Sequence, residues 1–470
     1  MERAIDHKVQ DYRMMVFGEV VKLAWAGKLK HEADELPEKI LKGHIQDEKE
    51  RRIVENHIRI SMGLDPLTGD AYHRLEEDVD SAMNQDRIKA PLVSVIEDVC
   101  ETCRRHPGNE TAAERENCPR EYLDCTEEAH RCIGCGRCIG DCPLGAISDK
   151  IEFLPVVKLL KEQQAPVFAA IAPAYVGQFG RGVTPGKIRN ALKRLGFTDM
   201  VEVAVFADIL TVKEAYEFDH MVRTEEDYLI TSCCCPVWVG MIQKNYKEIA
   251  EHVSPSVSPM IASGRVLKAL NPTARVVFIG PCIAKKAEAK IPELEGAIDY
   301  VLTFRELKEI FAVLEIDLET LDEENREEAS FAGRVYARTG GVSKAVERSV
   351  ERVLKRNIPF KSISFEGTGE CKAGLEKLIK GEIKANFIEG MGCTGGCVGG
   401  PRAVVSIEEG KKAVDVYSLQ TQMETPFDND NVLQLITRLG IKRWEALEID
   451  EEEHVRGLLS RRLGEGNYLQ

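Results

Sequence analysis

The sequence has no long hydrophobic run and no concentration of positive charge. None of its apolar segments approaches the roughly 20 residues that a membrane-spanning helix needs. The N-terminal stretch MERAIDHKVQDYRMMVFG lacks the continuous apolar core of a secretory signal. The net charge is −15, which argues against general nucleic-acid binding because phosphate contacts depend on Lys and Arg. We therefore expect a cytoplasmic protein without membrane or nucleic-acid partners.

Cysteine, in contrast, is abundant. The 470-residue chain has 15 cysteines in an otherwise ordinary globular composition of 43% hydrophobic and 30% charged residues. Eight lie between positions 100 and 142, three are adjacent at 233–235, and four follow later, at Cys282, Cys371, Cys393 and Cys397. In a reducing compartment such clusters indicate metal binding or catalysis rather than disulfides. Only Cys371 stands apart from any motif.

The chain divides into four parts by sequence texture. Residues 1–92 have helical periodicity and no evident chemistry, so we interpret them as a helical packing or docking segment. Residues 93–155 are rich in cysteine and charge, and so small a core needs metal to hold it. Residues 156–425 alternate apolar runs with amphipathic stretches, which predicts an α/β domain with parallel sheets. Residues 426–470 form a mixed helical tail.

Specific elements are predicted within the α/β region. Residues 186–197 are expected to form a helix. Strands are expected at 165–173 and 200–209 and in the segments DYLITS, ARVVFIG, DYVLTF and KANFIEG. Three cysteine motifs follow directly on such strands, namely LITSCCCP, VVFIGPC and ANFIEGMGCTGGC. The carboxyl ends of strands form the ligand crevice in α/β folds, so the three motifs are expected to converge on one site.

The upstream cysteines have the spacing of an iron–sulfur module. CIGCGRCIGDCP has the C-x2-C-x2-C-x3-C-P pattern of bacterial ferredoxins, in which the fourth cysteine serves a second cluster. Eight thiolates suit two 4Fe-4S clusters, and a zinc ribbon built from CETC and a later pair is the alternative. The preferred partition joins Cys142 to Cys100, Cys103 and Cys118. The other cluster then takes Cys125, Cys132, Cys135 and Cys138.

Three later motifs resemble a known family. TSCCCPVW (231–238), PCIAKKAE (281–288) and MGCTGGCVGG (391–400) are similar to the three signatures of FeFe (iron-only) hydrogenases. The resemblance covers roughly 95–420 and implies a two-lobed α/β catalytic domain after a ferredoxin-like α+β module. It also implies an H-cluster, which is a 4Fe-4S cube linked to a two-iron unit carrying CO, cyanide and a bridging dithiolate.

The resemblance assigns roles to individual residues. The ligands of the cube would be Cys235, Cys282, Cys393 and Cys397, and Cys397 would be shared with the two-iron unit. Lys285 would donate a hydrogen bond to an iron-bound cyanide. Residues expected to line the cofactor are Cys233, Met391, Ala172, Pro173, Pro281, Tyr336 and Gly396. For Met391, plain core filling explains the position equally well.

The triple cysteine is interpreted through the same resemblance. In an extended segment alternate side chains point to opposite sides, so Cys234 would face away from Cys233 and Cys235. Cys234 would be the proton donor to the two-iron unit. Cys233 is the departure from most relatives, and it is either a small buried hydrophobe or an insertion that lets Cys234 shield the open iron from oxygen.

A proton relay to solvent is implied as well. It would run from Cys234 through Glu214 and Ser254 to Glu217. For the two glutamates, a solvated helix face is the alternative interpretation. Further departures from the family pattern fall at Ala174, Met260, Gly280 and Tyr336, which alter polarity and bulk beside the expected two-iron unit.

Reversible hydrogenase activity is the expected function. Electrons would be exchanged with ferredoxin or flavodoxin through the two accessory clusters, and dedicated maturation proteins would load the two-iron unit. A hydrogen sensor with low turnover is the alternative. A hydrogenase-like assembly protein without the two-iron unit is a third possibility, although such relatives generally lose parts of the signatures that are present here.

Overall fold

A computed structural model describes residues 6–43, 47–68, 73–85, 88, 92–100, 134–142, 145–231, 234–353, 357–447 and 453–462. The chain forms two units, Met1–Gln164 with Arg305–Asp317 and Gln470, and Ala165–Phe304 with Leu318–Leu469. Within the described ranges, no helix is both long enough and apolar enough to cross a bilayer.

The first unit is mostly helical, as the periodicity of its sequence predicts. Its elements are α1 (Asp6–Trp25), α2 (Leu29–Glu32), α3 (Leu36–Ile40), α4 (Glu48–Ser61), α5 (Leu75–Asn84), β1 (Val93–Val95), α6 (Arg137–Asp141), β2 (Ile147–Asp149) and α7 (Phe153–Glu162). β1 pairs antiparallel with β2. Phe17 of α1 and Phe153 of α7 meet edge to face at 5.5 Å between ring centroids, which anchors this core. The buried Arg13 forms an ion pair with the buried Asp149 at 2.8 Å.

The second unit contains two parallel sheets. Its strands are β3 (Val167–Ile171), β4 (Asp199–Glu202), β5 (Leu229–Ile230), β6 (Arg275–Gly280), β7 (Tyr300–Thr303), β8 (Ser362–Glu366) and β9 (Phe387–Met391). One sheet has the order β4-β3-β6-β7 and the other has the order β5-β9-β8. The near-continuous apolar character of β3, β6 and β9 fits strands that are covered on both faces.

Further helices alternate with these strands and follow them along the chain. They are α8 (Pro185–Arg194), α9 (Ala204–Met221), α10 (Pro236–Asn245), α11 (Pro259–Leu270), α12 (Ala284–Glu288), α13 (Phe304–Val313), α14 (Phe331–Arg334), α15 (Gly341–Val353), α16 (Gly367–Ile379), α17 (Ile407–Ser418), α18 (Asp430–Arg438) and α19 (Glu453–Leu459). From Arg305 onward, α13 belongs to the first unit. The predicted helix at 186–197 is confirmed as α8.

Two predictions of secondary structure need correction. The expected strand at 200–209 is confirmed only at 200–202 and is wrong over the rest of its length, because β4 ends at Glu202 and α9 begins at Ala204. Every residue of α9 from Ala204 to Ala215 is buried, so no amphipathic stripe marks this helix in the sequence. Strand β8 was not predicted, although the short SISFE segment alternates polar and apolar residues as a half-buried strand does.

Candidate functional site

The three later cysteine motifs lie where strands end. Cys282 follows β6 by two residues, Cys393 follows β9 by two residues, and Cys235 caps the start of α10 shortly after β5. Cys235 and the β9 motif meet directly, because the backbone N–H of Gly392 donates to the Sγ atom of Cys235 at 3.2 Å. Parallel pairing of β5 and β9 therefore brings the carboxyl ends of these two strands together.

Three of the thiols interact electrostatically. Burial raises the pKa of Cys282 to about 12, and the nearby Cys235 and Cys397 add to this shift. Burial also raises the pKa of Cys397 to about 12, again with Cys235 contributing. Thiols in such surroundings stay protonated unless a cation binds them, and a metal cluster is the usual partner that displaces the protons.

Cys393 and Cys397 are joined by a tight, glycine-rich turn. The N–H of Gly396 donates to the carbonyl of Cys393 at 3.0 Å, and Gly396 has a φ of +81°. A Cβ atom at Gly396 would lie 2.6 Å from the backbone nitrogen of Thr339. The turn therefore requires glycine for both its backbone conformation and its close packing.

Lys285 is buried beside the same thiols. Its Nζ atom donates to the Oε2 atom of the buried Glu288 at 2.6 Å. Burial by itself lowers the pKa of Lys285, but the Glu288 carboxylate and the thiols of Cys282 and Cys397 outweigh it, so the net pKa is raised. Lys285 thus places a buried positive charge beside the sulfur atoms of the site.

Cys234 and Met391 touch at the edge of this thiol group. The Sγ atom of Cys234 lies 3.6 Å from the Sδ atom of Met391, the last residue of β9. Cys233 lies outside the described residues, so the hypotheses about it stay predictions.

The residues of the expected relay are buried polar groups. Glu214 and Glu217 lie on α9, and Ser254 precedes α11. The hydroxyl of Ser254 donates to the Oε2 atom of Glu217 at 2.6 Å. The hydroxyl of Thr231 lies 2.8 Å and 2.9 Å from the two carboxylate oxygens of Glu214. All of these side chains are buried, so a solvated helix face does not describe the two glutamates.

Three of the residues expected to line a cofactor, Ala172, Pro173 and Pro281, lie at the ends of β3 and β6. The N–H of Ala172 donates to the carbonyl of Ile279 at 2.9 Å, and Pro173 begins a short turn. The carbonyl of Pro281 accepts from the N–H of Arg402 at 3.0 Å. Tyr336 lies elsewhere, in a turn after α14, where its buried hydroxyl accepts from Thr211 at 2.8 Å.

The structure adds residues that the sequence interpretation did not single out. Cys371, set apart from every motif, is fully buried on α16 with its Sγ atom 3.4 Å from the carbonyl oxygen of Met391. Burial raises the pKa of Cys371 to about 12, and Cys235 contributes next. Lys213 forms a buried ion pair with Glu217. Of these two features, only the ion pair of Lys213 could have been found from the sequence, because a Lys and a Glu four residues apart on a helix lie on the same face.

The upstream cysteines are described in part. Cys100 and Cys138 are buried, and Cys135 and Cys142 are half-buried. Cys103, Cys118, Cys125 and Cys132 lie outside the described residues, so the two-cluster partition stays a prediction. Among the residues that the structure does describe, no group of three or more His, Cys, Asp or Glu side chains is arranged around a single metal ion. A cube binds its thiolates on separate irons, so its ligands lie further apart than those of one ion.

Comparison with known proteins identifies the α/β domain. The family model described as iron only hydrogenase large subunit, C-terminal domain, matches residues 165–401, which is half of the chain. The chain belongs to the iron-only hydrogenase family. This assignment agrees with the resemblance found in the three cysteine motifs.

Two curated proteins illustrate what this chain is similar to. Iron hydrogenase 1 of Clostridium pasteurianum is 30% identical over 307 residues, which cover 55% of this chain and 53% of that protein. This chain therefore spans about half the length of that relative. Nuclear prelamin A recognition factor of Homo sapiens is 26% identical over 280 residues, covering 48% of this chain and 61% of that protein.

A solved structure in the iron-only hydrogenase family has the same fold. A variant of the [FeFe]-hydrogenase HydA1 from Chlamydomonas reinhardtii superposes with a TM-score of 0.54 at 21% identity. The match covers 66% of this chain and 98% of that one. The α/β catalytic fold that the sequence predicts is thereby confirmed.

Proposed function

We propose that this chain is a reversible hydrogenase that interconverts H2 with protons and electrons at an H-cluster. The observation that carries the proposal is the meeting of Cys235, Cys282 and Cys397 with the buried Lys285 at the carboxyl ends of strands from two sheets. Strands that are distant in sequence deliver these side chains to one place, as the ligand crevice of an α/β fold requires.

The residues present fit the cofactor that the family implies. Cys235, Cys282, Cys393 and Cys397 supply the four thiolates that a 4Fe-4S cube takes. The tight turn at Gly396 holds the 393–397 segment against the backbone of Arg338 and Thr339, where a Cβ atom would not fit. When bound, the H-cluster supplies the iron that binds and splits H2. The protein supplies a dry pocket, a fixed geometry and a route for protons.

Individual side chains then have distinct tasks. We assign Cys234 to proton exchange with the two-iron unit, since its thiol lies against Met391 at the edge of the thiol group. Lys285 is assigned to orient a cofactor cyanide by a charge-assisted hydrogen bond, and Glu288 fixes the position of its ammonium group.

Protons would leave along buried hydroxyl and carboxyl groups. Ser254 donates its O–H to Glu217 at 2.6 Å, and this hydrogen bond supports one step of the proposed relay. Glu214 would connect Cys234 to Ser254. Hydrogen-bonded acid–base groups of this kind transfer protons without opening the site to water.

Electrons would pass through two accessory 4Fe-4S clusters in the first unit. The ferredoxin-type spacing from Cys132 to Cys142 and the four upstream cysteines support this assignment. A soluble ferredoxin or flavodoxin is the proposed redox partner, maturation proteins would install the two-iron unit, and the cytoplasm is the proposed compartment.

The test combines maturation with infrared spectroscopy and turnover. The full chain, matured with the hydrogenase machinery, should show bands of iron-bound CO and cyanide and should evolve H2 from reduced ferredoxin. Bands without appreciable turnover would favour the hydrogen sensor. Absence of the bands after maturation, with the iron–sulfur clusters present, would favour the assembly-protein alternative and contradict the proposal.

A matched pair of variants tests the ligand set. Cys282→Ala should lower the iron content and remove the CO and cyanide bands. Cys371→Ala removes a fully buried cysteine that is 3.4 Å from the Met391 carbonyl but is not a proposed ligand, so its iron content should stay high. Equal iron content in the two variants would contradict the assignment of Cys282.

A further inference from the structure

A buried ion pair lies at the outer end of the proposed relay. The Nζ atom of Lys213 contacts the Oε1 atom of Glu217, one turn further along α9. The side chains are 2% and 5% exposed, respectively, so neither charge is hydrated by bulk water. The sequence interpretation gave Lys213 no role, and the proposed function does not use it.

Hydroxyl groups complete the surroundings of Glu217. Ser254 donates to its Oε2 atom at 2.6 Å, and Ser256 lies 3.4 Å from its Oε1 atom. Two other titratable groups, Glu214 and the exposed His220, stand three residues away on the same side of α9. Lys213 therefore brings a positive charge into direct contact with this carboxylate.

The charge of Lys213 matters because a buried carboxylate is costly without a counter-charge. A carboxyl group removed from water favours its neutral form unless an opposite charge or donated hydrogen bonds hold it ionised. Two serine hydroxyls can donate to a carboxylate, but neither brings a positive charge. The ammonium group of Lys213 supplies that charge at contact distance.

We propose that Lys213 is a positioning residue of the relay, which keeps Glu217 ionised so that it accepts the hydroxyl proton of Ser254. This inference rests on the proposed function, because it concerns the same proton route. The inference gives the carboxylate of Glu217 a charged partner, Lys213, on the same helix, α9.

An ionised Glu217 favours the movement of protons outward, away from the thiol site. When a proton leaves the site, the Ser254 hydroxyl gives its proton to Glu217 and takes another from the inner side of the relay. Neutral Glu217 then passes that proton outward, while Lys213 keeps its charge throughout. Because neutral Glu217 leaves the ammonium group unpaired, the proton stays there only briefly.

Lys213→Met tests the inference while keeping the aliphatic length of the side chain. In this variant Glu217 should take up a proton at neutral pH, since burial is no longer opposed by the ammonium charge. The midpoint of the pH profile of turnover should move upward by about 1–3 units. Protonated Glu217 should also appear as an additional carboxyl C=O infrared band, relative to the unsubstituted protein, at neutral pH in the full chain carrying its iron–sulfur clusters.

Control variants separate this role from a merely structural one. Lys213→Arg keeps the charge and should not produce the additional carboxyl band at neutral pH. Lys193→Met removes a half-exposed, ion-paired lysine of α8 and should not produce the band. The band should disappear from the double variant Lys213→Met/Glu217→Gln.

The infrared measurement does not depend on hydrogenase activity. A chain without H2 turnover would therefore contradict the proposed function while still testing Lys213. Lys213→Met with no carboxyl band and an unchanged pH midpoint would overturn the inference, as would a band that persists when Glu217 is replaced.

Discussion

Replacing Ser254 with Ala is the sharpest test of the proposed relay. The change removes the hydroxyl that donates to Glu217 at 2.6 Å, and the other serine hydroxyl at this carboxylate, Ser256, is 3.4 Å from the opposite oxygen. Proton transfer by a positioned group contributes about 10²–10⁴-fold to rate, so turnover should fall by about this factor. A hydrogen bond to a charged group contributes about 1.5–3 kcal/mol to stability, so the variant should still fold.

The assay should separate proton transfer from electron supply. H2 evolution is measured with a reduced small-molecule mediator, and the CO and cyanide bands confirm equal cofactor loading. If proton transfer limits the variant, its rate should fall further in D2O than the wild-type rate does. Ser256→Ala removes a hydroxyl from the same segment and should cost less than tenfold. Retention of most wild-type activity by Ser254→Ala, with equal loading, would refute the relay.

The other predictions concern the thiol site and the buried charges. Cys234→Ala should abolish turnover while iron content, measured by elemental analysis, stays constant; surviving activity would show that another group donates the proton. Glu288→Gln leaves the ammonium of Lys285 without its carboxylate partner at 2.6 Å. Breaking a buried pair costs about 3–5 kcal/mol, so the denaturation midpoint should drop, and an unchanged midpoint would contradict the buried pairing. Burial raises the pKa of Asp208 from 3.8 to about 6, although Ser330 and Asn429 hydrogen-bond to it. Because the pKa of Asp208 is higher in the folded than in the unfolded state, this group contributes its full stabilisation below about pH 4. About 3 kcal/mol of the free energy of unfolding is then lost as the pH rises through about 6. The free energy of unfolding, measured between about pH 5 and about pH 8, should therefore fall more steeply than in Asp208→Asn, and parallel curves would exclude this role.

The fold was predictable where sequence signals are local. The strands ARVVFIG and KANFIEG are short apolar runs bounded by turns, and they appear as β6 and β9. The boundary between β4 and α9 was not predictable, because a helix buried on all sides has the same apolar composition as a strand. Tertiary burial, rather than any periodicity, decides that Ala204 begins a helix.

The candidate site divides in the same way. Cysteine spacing, the glycines of MGCTGGC and the order of the three motifs are written in the chain, because cluster ligands and tight turns depend on neighbouring residues. The position of Cys371 beside the Met391 carbonyl could not be predicted from the sequence, since α16 and β9 meet only when the sheet assembles.

By itself the sequence determined which side chains could hold iron and sulfur and at which strand ends they would stand, since both follow from short-range spacing and strand polarity. Only the tertiary structure decided that Cys235 meets the turn after β9, that Ser254 reaches Glu217 and that the charges of Lys213 and Lys285 are buried against carboxylates. These contacts join residues brought together by sheet topology and helix packing, and their strength comes from the removal of water, which no local pattern records.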